Sequence, residues 1–228
     1  MLATQTSRIR LGTLVTNVAR RPPALLAKEI LTVDHLSGGR LDVGLGLGYY
    51  PEEHLWVGVE FPALDQRIAR FGEAVTALDL LLRQERTTFP GTFYRLENTP
   101  MYPPPVQHPR PPFVLGTMHP QMLRLVAAPA DGWNPLVKRN MTSEEALVLI
   151  QERSQLLAEY CAEIGRDPAT IARSYLVGWA NETPFVSKEV FTDFIERYRA
   201  VGINEFCTLS RRFAGLTHRL AGGKPFWQ

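Results

Sequence analysis

Residues 40–50 read RLDVGLGLGYY, and this run decides the fold. Leu41, Val43, Leu45 and Leu47 alternate with Asp42, Gly44, Gly46 and Gly48, the period of two expected of a β-strand. Apolar residues occupy one face and glycines most of the other. A glycine face costs strand propensity, so it implies a close approach by something else. That neighbour is either a flat, bulky ligand or the tightly packed interior of a barrel. The glycines also suggest a dinucleotide fingerprint. However, Tyr49 stands where its third glycine belongs, and Pro51 follows in place of a helix entry.

Upstream, Ile9, Leu11 and Val15 alternate in RIRLGTLV, which predicts a strand over residues 8–15. Pro22 and Pro23 suit a helix start, Leu26, Ile30, Val33 and Leu36 supply its apolar stripe, and Gly38-Gly39 its stop. Downstream, Ile68, Phe71, Val75, Leu78 and Leu82 mark a second sheet-packing helix. Eight prolines fall between Thr87 and Pro112, too many for a helix or a central strand, so residues 86–112 form a long excursion.

Alternation then resumes. The strand PFVLG leads to a helix opening at Pro120, and DGWNP is a short strand. Thr142 and Glu145 form a capping box at the head of a long helix that carries Leu147, Ile150, Leu157, Cys161 and Ile164. ARSYLVGWA is a strand, Ser187 caps a helix with Phe191, Phe194, Ile195, Tyr198 and Val201, and NEFCTLS is a strand before a weak helix at 212–220. Six strand-helix units in strict alternation predict a parallel sheet with helices outside, because each parallel crossover needs a helix-length connection. Pattern alone leaves both a barrel and a doubly wound sheet open.

The 228 residues are 45% hydrophobic, enough for one core, and one domain over 1–228 is expected. Twenty-five basic and 23 acidic side chains are scattered, leaving a net charge of +2 and no basic stripe for nucleic acid or an anionic membrane. Cys161 and Cys207 form no CxxC pair and join no metal-spaced cluster, so two reduced thiols and no metal are expected. Neither a signal peptide nor a spanning segment of about 20 apolar residues is evident, and the chain is expected to be soluble and cytoplasmic.

Residues 6–58, TSRIRLGTLVTNVARRPPALLAKEILTVDHLSGGRLDVGLGLGYYPEEHLWVG, resemble the signature block of the bacterial luciferase-like family. The resemblance implies a TIM-type (β/α) barrel of which this chain carries about six of eight strand-helix units, the first two being absent. It implies an oxidoreductase or monooxygenase that acts on a small organic substrate with FMN or, alternatively, the deazaflavin coenzyme F420. It places Gly46, Gly48 and Tyr49 beside the cofactor ring. A bulge with a non-prolyl cis peptide is implied around Leu14 and Val15, with Thr16 and Asn17 at the pyrimidine side. Gly116, Thr117 and Met118, from LGTMHPQML, match the phosphate cradle, where backbone N–H groups and a helix dipole attract an anion. His119 is a possible aid there, although Met118 and Pro120 depart from the family's glycine- and serine-rich turn. Trp133 and Asn134 are implied near the pocket.

Relatives of this kind pair through helices that include the one resembling PPALLAKEILTVDHL, so a homodimer is expected. His35 belongs to the side of the barrel away from its mouth and is expected to be structural. Glu53 and His54, in the loop leaving the cofactor-side strand end, are the candidates for handling substrate protons, against the alternative of a solvated polar loop. A non-catalytic flavin-binding or subunit-like protein, and an inactive barrel fragment with exposed sheet edges, remain open as well.

Overall fold

A computed structural model describes residues 2–208. Its main sheet contains β1 (Leu11–Gly12), β2 (Thr16–Asn17), β3 (Leu41–Gly46), β6 (Phe113–Gly116), β7 (Gly132–Asn134), β8 (Ala172–Val177) and β9 (Glu205–Thr208). All pairs are parallel, in the order β1-β3-β6-β7-β8-β9, with β2 joining β3 further along the same edge. β1 and β2 together fill one strand position, which makes six positions in a sheet that curls into part of a barrel. Outside it lie α2 (Pro23–Ser37), α4 (Leu64–Arg83), α5 (Pro120–Ala127), α6 (Ser143–Glu163) and α7 (Lys188–Ala200). A short α1 (Leu2–Gln5) precedes β1, and α3 (Pro51–Leu55) follows β3.

Local signals account for the helix ends. Pro23 and Pro120 stand at the starts of α2 and α5, where a missing N–H is harmless. Gly38 ends α2 at φ +65°, a left-handed conformation suited to glycine. Thr142 and Glu145 form both bonds of the capping box, and the Ser187 side chain accepts the Val190 N–H at the head of α7.

The core lies between the sheet and its helices. Phe71, Val75, Leu78 and Leu82 of α4 are buried as their spacing predicts. Two stripes are shifted. On α2 the inward face is Leu26, Ala27, Ile30, Leu31 and Asp34, while Leu36 is exposed, and on α6 the last apolar residue, Ile164, is also exposed. Both exceptions sit at or just beyond a helix end, past the surface the sheet covers.

Three expectations need correction. Pro51 does not stand in place of a helix entry but opens the short helix α3, at a first-turn position where its missing N–H is harmless. The strand over residues 8–15 is not continuous: only Leu11–Gly12 and Thr16–Asn17 pair with β3. The excursion over residues 86–112 is not wholly irregular, because β4 (Arg86–Pro90) and β5 (Arg95–Pro100) form an antiparallel hairpin outside the main sheet. Its prolines fall in the terminal pairs, Arg86 with Pro100 and Pro90 with Arg95, where a lost donor matters least. The Glu73 carboxylate of α4 accepts the N–H groups of Thr92, Phe93 and Tyr94 at 2.9, 2.8 and 3.2 Å, fastening the hairpin tip. The expected helix at 212–220 lies outside the described residues.

The rest of the excursion is held by side chains. Asp34, fully buried, accepts Val106 N–H at 2.7 Å, Gln107 N–H at 3.2 Å and the Gln107 amide at 2.9 Å. His35 meets the Pro104 carbonyl at 2.7 Å, a structural placement. Arg110 is the central staple: it reaches Asp79 and Asp131 at 2.6 Å each and the carbonyls of Pro111 and Pro129, and lies 3.6 Å above the Phe113 ring. Arg110→Leu would leave both carboxylates and both carbonyls short of a donor. It is expected to lower the unfolding free energy by about 2–3 kcal/mol, read from urea denaturation. A loss below about 1 kcal/mol would show that the staple is dispensable.

Candidate functional site

The register between the first two strand positions holds an extra residue. Gly12 pairs with Asp42 and Thr16 with Leu45, so four steps on one side face three on the other. The surplus is a bulge over Thr13, Leu14 and Val15, and it carries the chain across the face of β3. The Leu14–Val15 peptide is cis, as the family resemblance implies. Thr13 donates its hydroxyl to the Gly44 carbonyl at 2.9 Å.

This crossing gives the glycine face its steric reason. A Cβ on Gly44 would overlap the Thr13 carbonyl oxygen, and one on Gly46 would overlap Val15 Cγ2. A Cβ on Gly116, one strand over, would lie 3.0 Å from Val15 Cγ1. The Val15 side chain thus rests on a floor formed by Gly44, Gly46 and Gly116. Of the two neighbours open from the sequence, the immediate one is the protein's own bulge. Its outer surface is not covered: Leu14 is 43% and Val15 37% exposed.

At the end of the bulge the chain turns inward. Thr16 accepts from Arg21 at 3.0 Å. Asn17 is buried, and its Oδ1 accepts the Ala19 N–H at 3.0 Å while its Nδ2 lies 2.9 Å from His54 Nε2. The other ring nitrogen of His54, Nδ1, lies 2.9 Å from the Glu60 carbonyl. His54 is fully buried on α3 and meets the Phe61 ring edge-on, with centroids 4.9 Å apart. Gly48, at φ +87°, lets this pair close, because a Cβ there would stand 2.5 Å from both Asn17 Nδ2 and His54 Nε2. Its carbonyl accepts from Arg67 at 2.8 Å, and the Arg67 guanidinium covers Phe61 at 3.9 Å. Burial lowers the Arg67 pKa below its usual value.

Tyr49 is 72% exposed and packs edge-on against Tyr50 at 5.1 Å. Burial raises the Tyr50 pKa, against the pull of Arg139, which brings the loop after β7 into electrostatic range of the loop after β3. Glu53 is half-buried in the first turn of α3.

After β6, the turn into α5 directs its polar groups largely inward. Thr117 N–H donates to the Asn134 carbonyl at 3.1 Å, Thr117 Oγ1 accepts His119 N–H at 3.0 Å, and the Thr117 carbonyl accepts buried Trp133 Nε1 at 2.8 Å. Asn134 Nδ2 is committed to Ser174, and the half-buried Met118 gives its carbonyl to Arg153. Trp133 and Asn134 therefore serve the turn's scaffold. Among the described residues, His119 Nδ1 is the buried side-chain nitrogen or oxygen without a hydrogen-bond partner.

The structure thus unites Leu14, Val15, Gly46 and Gly116 in one ledge and Asn17, Gly48 and His54 in one buried knot. Gly116 links the ledge to the turn of Thr117 and Met118, and Tyr49 stands outward from the knot. Sequence reading missed Arg67, Arg139 and a cluster at the C-terminal end of β8. There Glu182 accepts Gly178 N–H at 2.7 Å and the hydroxyls of Tyr175 and Tyr198 at 3.2 and 3.3 Å. The tyrosines showed only as apolar positions of a strand and a helix, and Glu182 sits in a loop with no period. Among the described residues, no group of three or more His, Cys, Asp or Glu is placed to hold a metal ion, and no helix is long and apolar enough to cross a membrane.

Burial raises the Glu182 pKa, with the Gly178 N–H opposing it. The folded state then binds a proton that the unfolded chain releases, so stability is greatest below the unfolded carboxyl pKa and falls as pH rises toward the folded one. Glu182→Gln should flatten that slope in thermal melts between pH 4 and 8; an unchanged slope would clear Glu182 of the effect. For the ledge, Gly46→Ala should cost about 1–3 kcal/mol by overpacking against Val15, and adding Val15→Ala should return part of it. Strictly additive losses in denaturant would mean the two positions do not touch.

Comparisons with known proteins bear on the family and the fold. The luciferase-like monooxygenase family model matches residues 1–201. An uncharacterized protein of Mycobacterium tuberculosis is 35% identical over 148 residues, 64% of this chain and 51% of the relative. An F420-dependent glucose-6-phosphate dehydrogenase of Kineococcus radiotolerans is 40% identical over 107 residues, 46% of this chain and 32% of the relative. The chain spans about half, or less, of the length of these curated relatives. In fold it resembles the coenzyme F420-dependent tetrahydromethanopterin reductase of Methanopyrus kandleri, with a TM-score of 0.76 at 17% identity over 92% of this chain and 79% of that one. It likewise resembles a long-chain alkane monooxygenase, with a TM-score of 0.73 at 11% identity over 92% and 66%. With its glycine-floored bulge, its parallel curled sheet and a family match over most of its length, the chain belongs to the luciferase-like monooxygenase family.

Proposed function

We propose that this chain binds the deazaflavin F420 at the C-terminal ends of its strands and takes part in redox chemistry on a small organic substrate. The observation that carries the proposal is the ledge of Leu14 and Val15, an apolar surface left exposed although the chain behind it is seated on three glycines. Such a surface suits one face of a flat ring, and strand C-terminal ends are where barrels of this type do their chemistry. F420 is favoured over FMN because several relatives are F420-dependent by name.

The residues present fit such a group. Val15 would support the ring, and the Asn17 amide would offer it a donor. At the head of α5, the unpartnered His119 Nδ1 and the helix dipole would favour an anionic portion. Because Thr117 and His119 N–H groups are spent within the turn, His119's side chain carries more of that task than a glycine-rich turn would require. The bound deazaflavin would supply or accept the hydride, with the protein orienting it. Of the two proton-handling candidates, Glu53 is the one we retain, since both ring nitrogens of His54 are engaged. Leu25 and Leu36, exposed on α2, support a further proposal that two copies pair through this helix.

Titration of the purified protein with F420 and with FMN, followed by fluorescence quenching, tests the reading. F420 should bind at least about tenfold more tightly than FMN, about 1.4 kcal/mol, and Val15→Asp should abolish binding of either. His119→Ala should weaken F420 binding by about tenfold with no fall in melting temperature. Absence of binding by both cofactors would refute the proposal, and preference for FMN would reassign the cofactor.

A further inference from the structure

The hydrogen bonds around His54 can be satisfied in only one way. The Glu60 carbonyl can only accept, so His54 Nδ1 carries the proton and donates to it at 2.9 Å. Nε2 of the neutral ring is then bare and must accept. Independently, the Ala19 N–H can only donate, so Asn17 turns its Oδ1 toward it at 3.0 Å and its Nδ2 toward His54 at 2.9 Å. Two backbone groups on different segments thus dictate the same arrangement. Flipping the Asn17 amide, or moving the His54 proton to Nε2, would set donor against donor and acceptor against acceptor. The pair is buried, and Gly48 lacks the Cβ that would part it. Asn17 Oδ1 and one Nδ2 proton are consumed, leaving one amide proton.

We infer that His54 is a positioning residue: acting through Asn17, it holds one amide N–H ready at the end of β2 for a carbonyl oxygen of the bound ligand. The inference rests on the reading that the cofactor ring lies on the Leu14–Val15 ledge, and it deepens that reading by assigning the ligand group met there as an acceptor. It also explains why a histidine on the short helix after β3 is turned inward. His54 couples α3, which follows the mouth loop, to β2, which ends the bulge.

The variants His54→Gln and His54→Leu separate positioning from packing. Glutamine can accept from Asn17 through Oε1 and donate to Glu60 through Nε2, whereas leucine can do neither. F420 affinity should fall about tenfold in His54→Leu and stay within about threefold of wild type in His54→Gln, roughly the effect of one hydrogen bond. A ligand-free ¹⁵N NMR spectrum of the wild-type imidazole should show protonated Nδ1 and bare Nε2 at neutral pH. In Asn17→Asp, whose carboxylate can only accept, both nitrogens should be protonated at that pH. Equal F420 affinity in all three proteins, a glutamine variant no better than the leucine variant, or a wild-type Nε2–H tautomer would each overturn the positioning role while leaving cofactor binding intact. If His54→Leu does not fold, the glutamine variant and the ligand-free spectra decide the matter. Failure of the wild type to bind F420 or FMN at all would instead overturn the site reading beneath it.

Discussion

The contact of Val15 with Gly44, Gly46 and Gly116 is the constraint on which the rest of the site depends. Three positions on two neighbouring strands give up their side chains so that the bulge between β1 and β2 can lie flat against the sheet. Glycine weakens a strand, and the loss is offset here by the buried apolar face of Leu41, Val43 and Leu45 and by pairing on both sides of β3. Without the bulge the glycines would be unexplained. Without the glycines the bulge could not form.

The same contact orders the polar groups around it. Because the bulge adds one residue, Asn17 pairs with Gly46 at the end of β2, within reach of the loop that leaves β3. That loop returns His54 beneath Gly48, and Arg67 closes over Phe61 behind it. A steric fit in the sheet thus becomes a fixed amide and a fixed imidazole tautomer. On the far side of the ledge, Gly116 leads directly into the turn, where Thr117 N–H donates to the Asn134 carbonyl and the Thr117 carbonyl accepts from Trp133 Nε1.

Much of this was legible in the sequence because periodicity and punctuation are local. The alternation of RLDVGLGLG, the proline starts at Pro23 and Pro120, and the Thr142–Glu145 capping box each act over a few residues, and each forms where its pattern predicts. The hairpin at 86–100 escaped because Pro90 and Pro100 end its strands and six more prolines follow within twelve residues, and its anchor is the distant Glu73. The Glu182 cluster escaped for a related reason: Tyr175, Glu182 and Tyr198 share no spacing that a local pattern can detect. Tertiary proximity gives them their chemistry.

His54 shows how far residue type alone can carry a functional reading. A histidine following two glutamates, on the short helix after β3, has the composition of a proton-transfer group. What decides its role is which atoms face its two nitrogens, and both are protein groups that demand opposite things: a carbonyl that requires a proton on Nδ1 and an amide that requires Nε2 bare. A ring constrained in this way cannot exchange protons without breaking one of its own bonds, which is the reason we assign it positioning and not proton transfer. Glu53, one residue earlier in the same turn, is half-buried, and as a carboxylate it is the group that the proposed function leaves free to handle substrate protons.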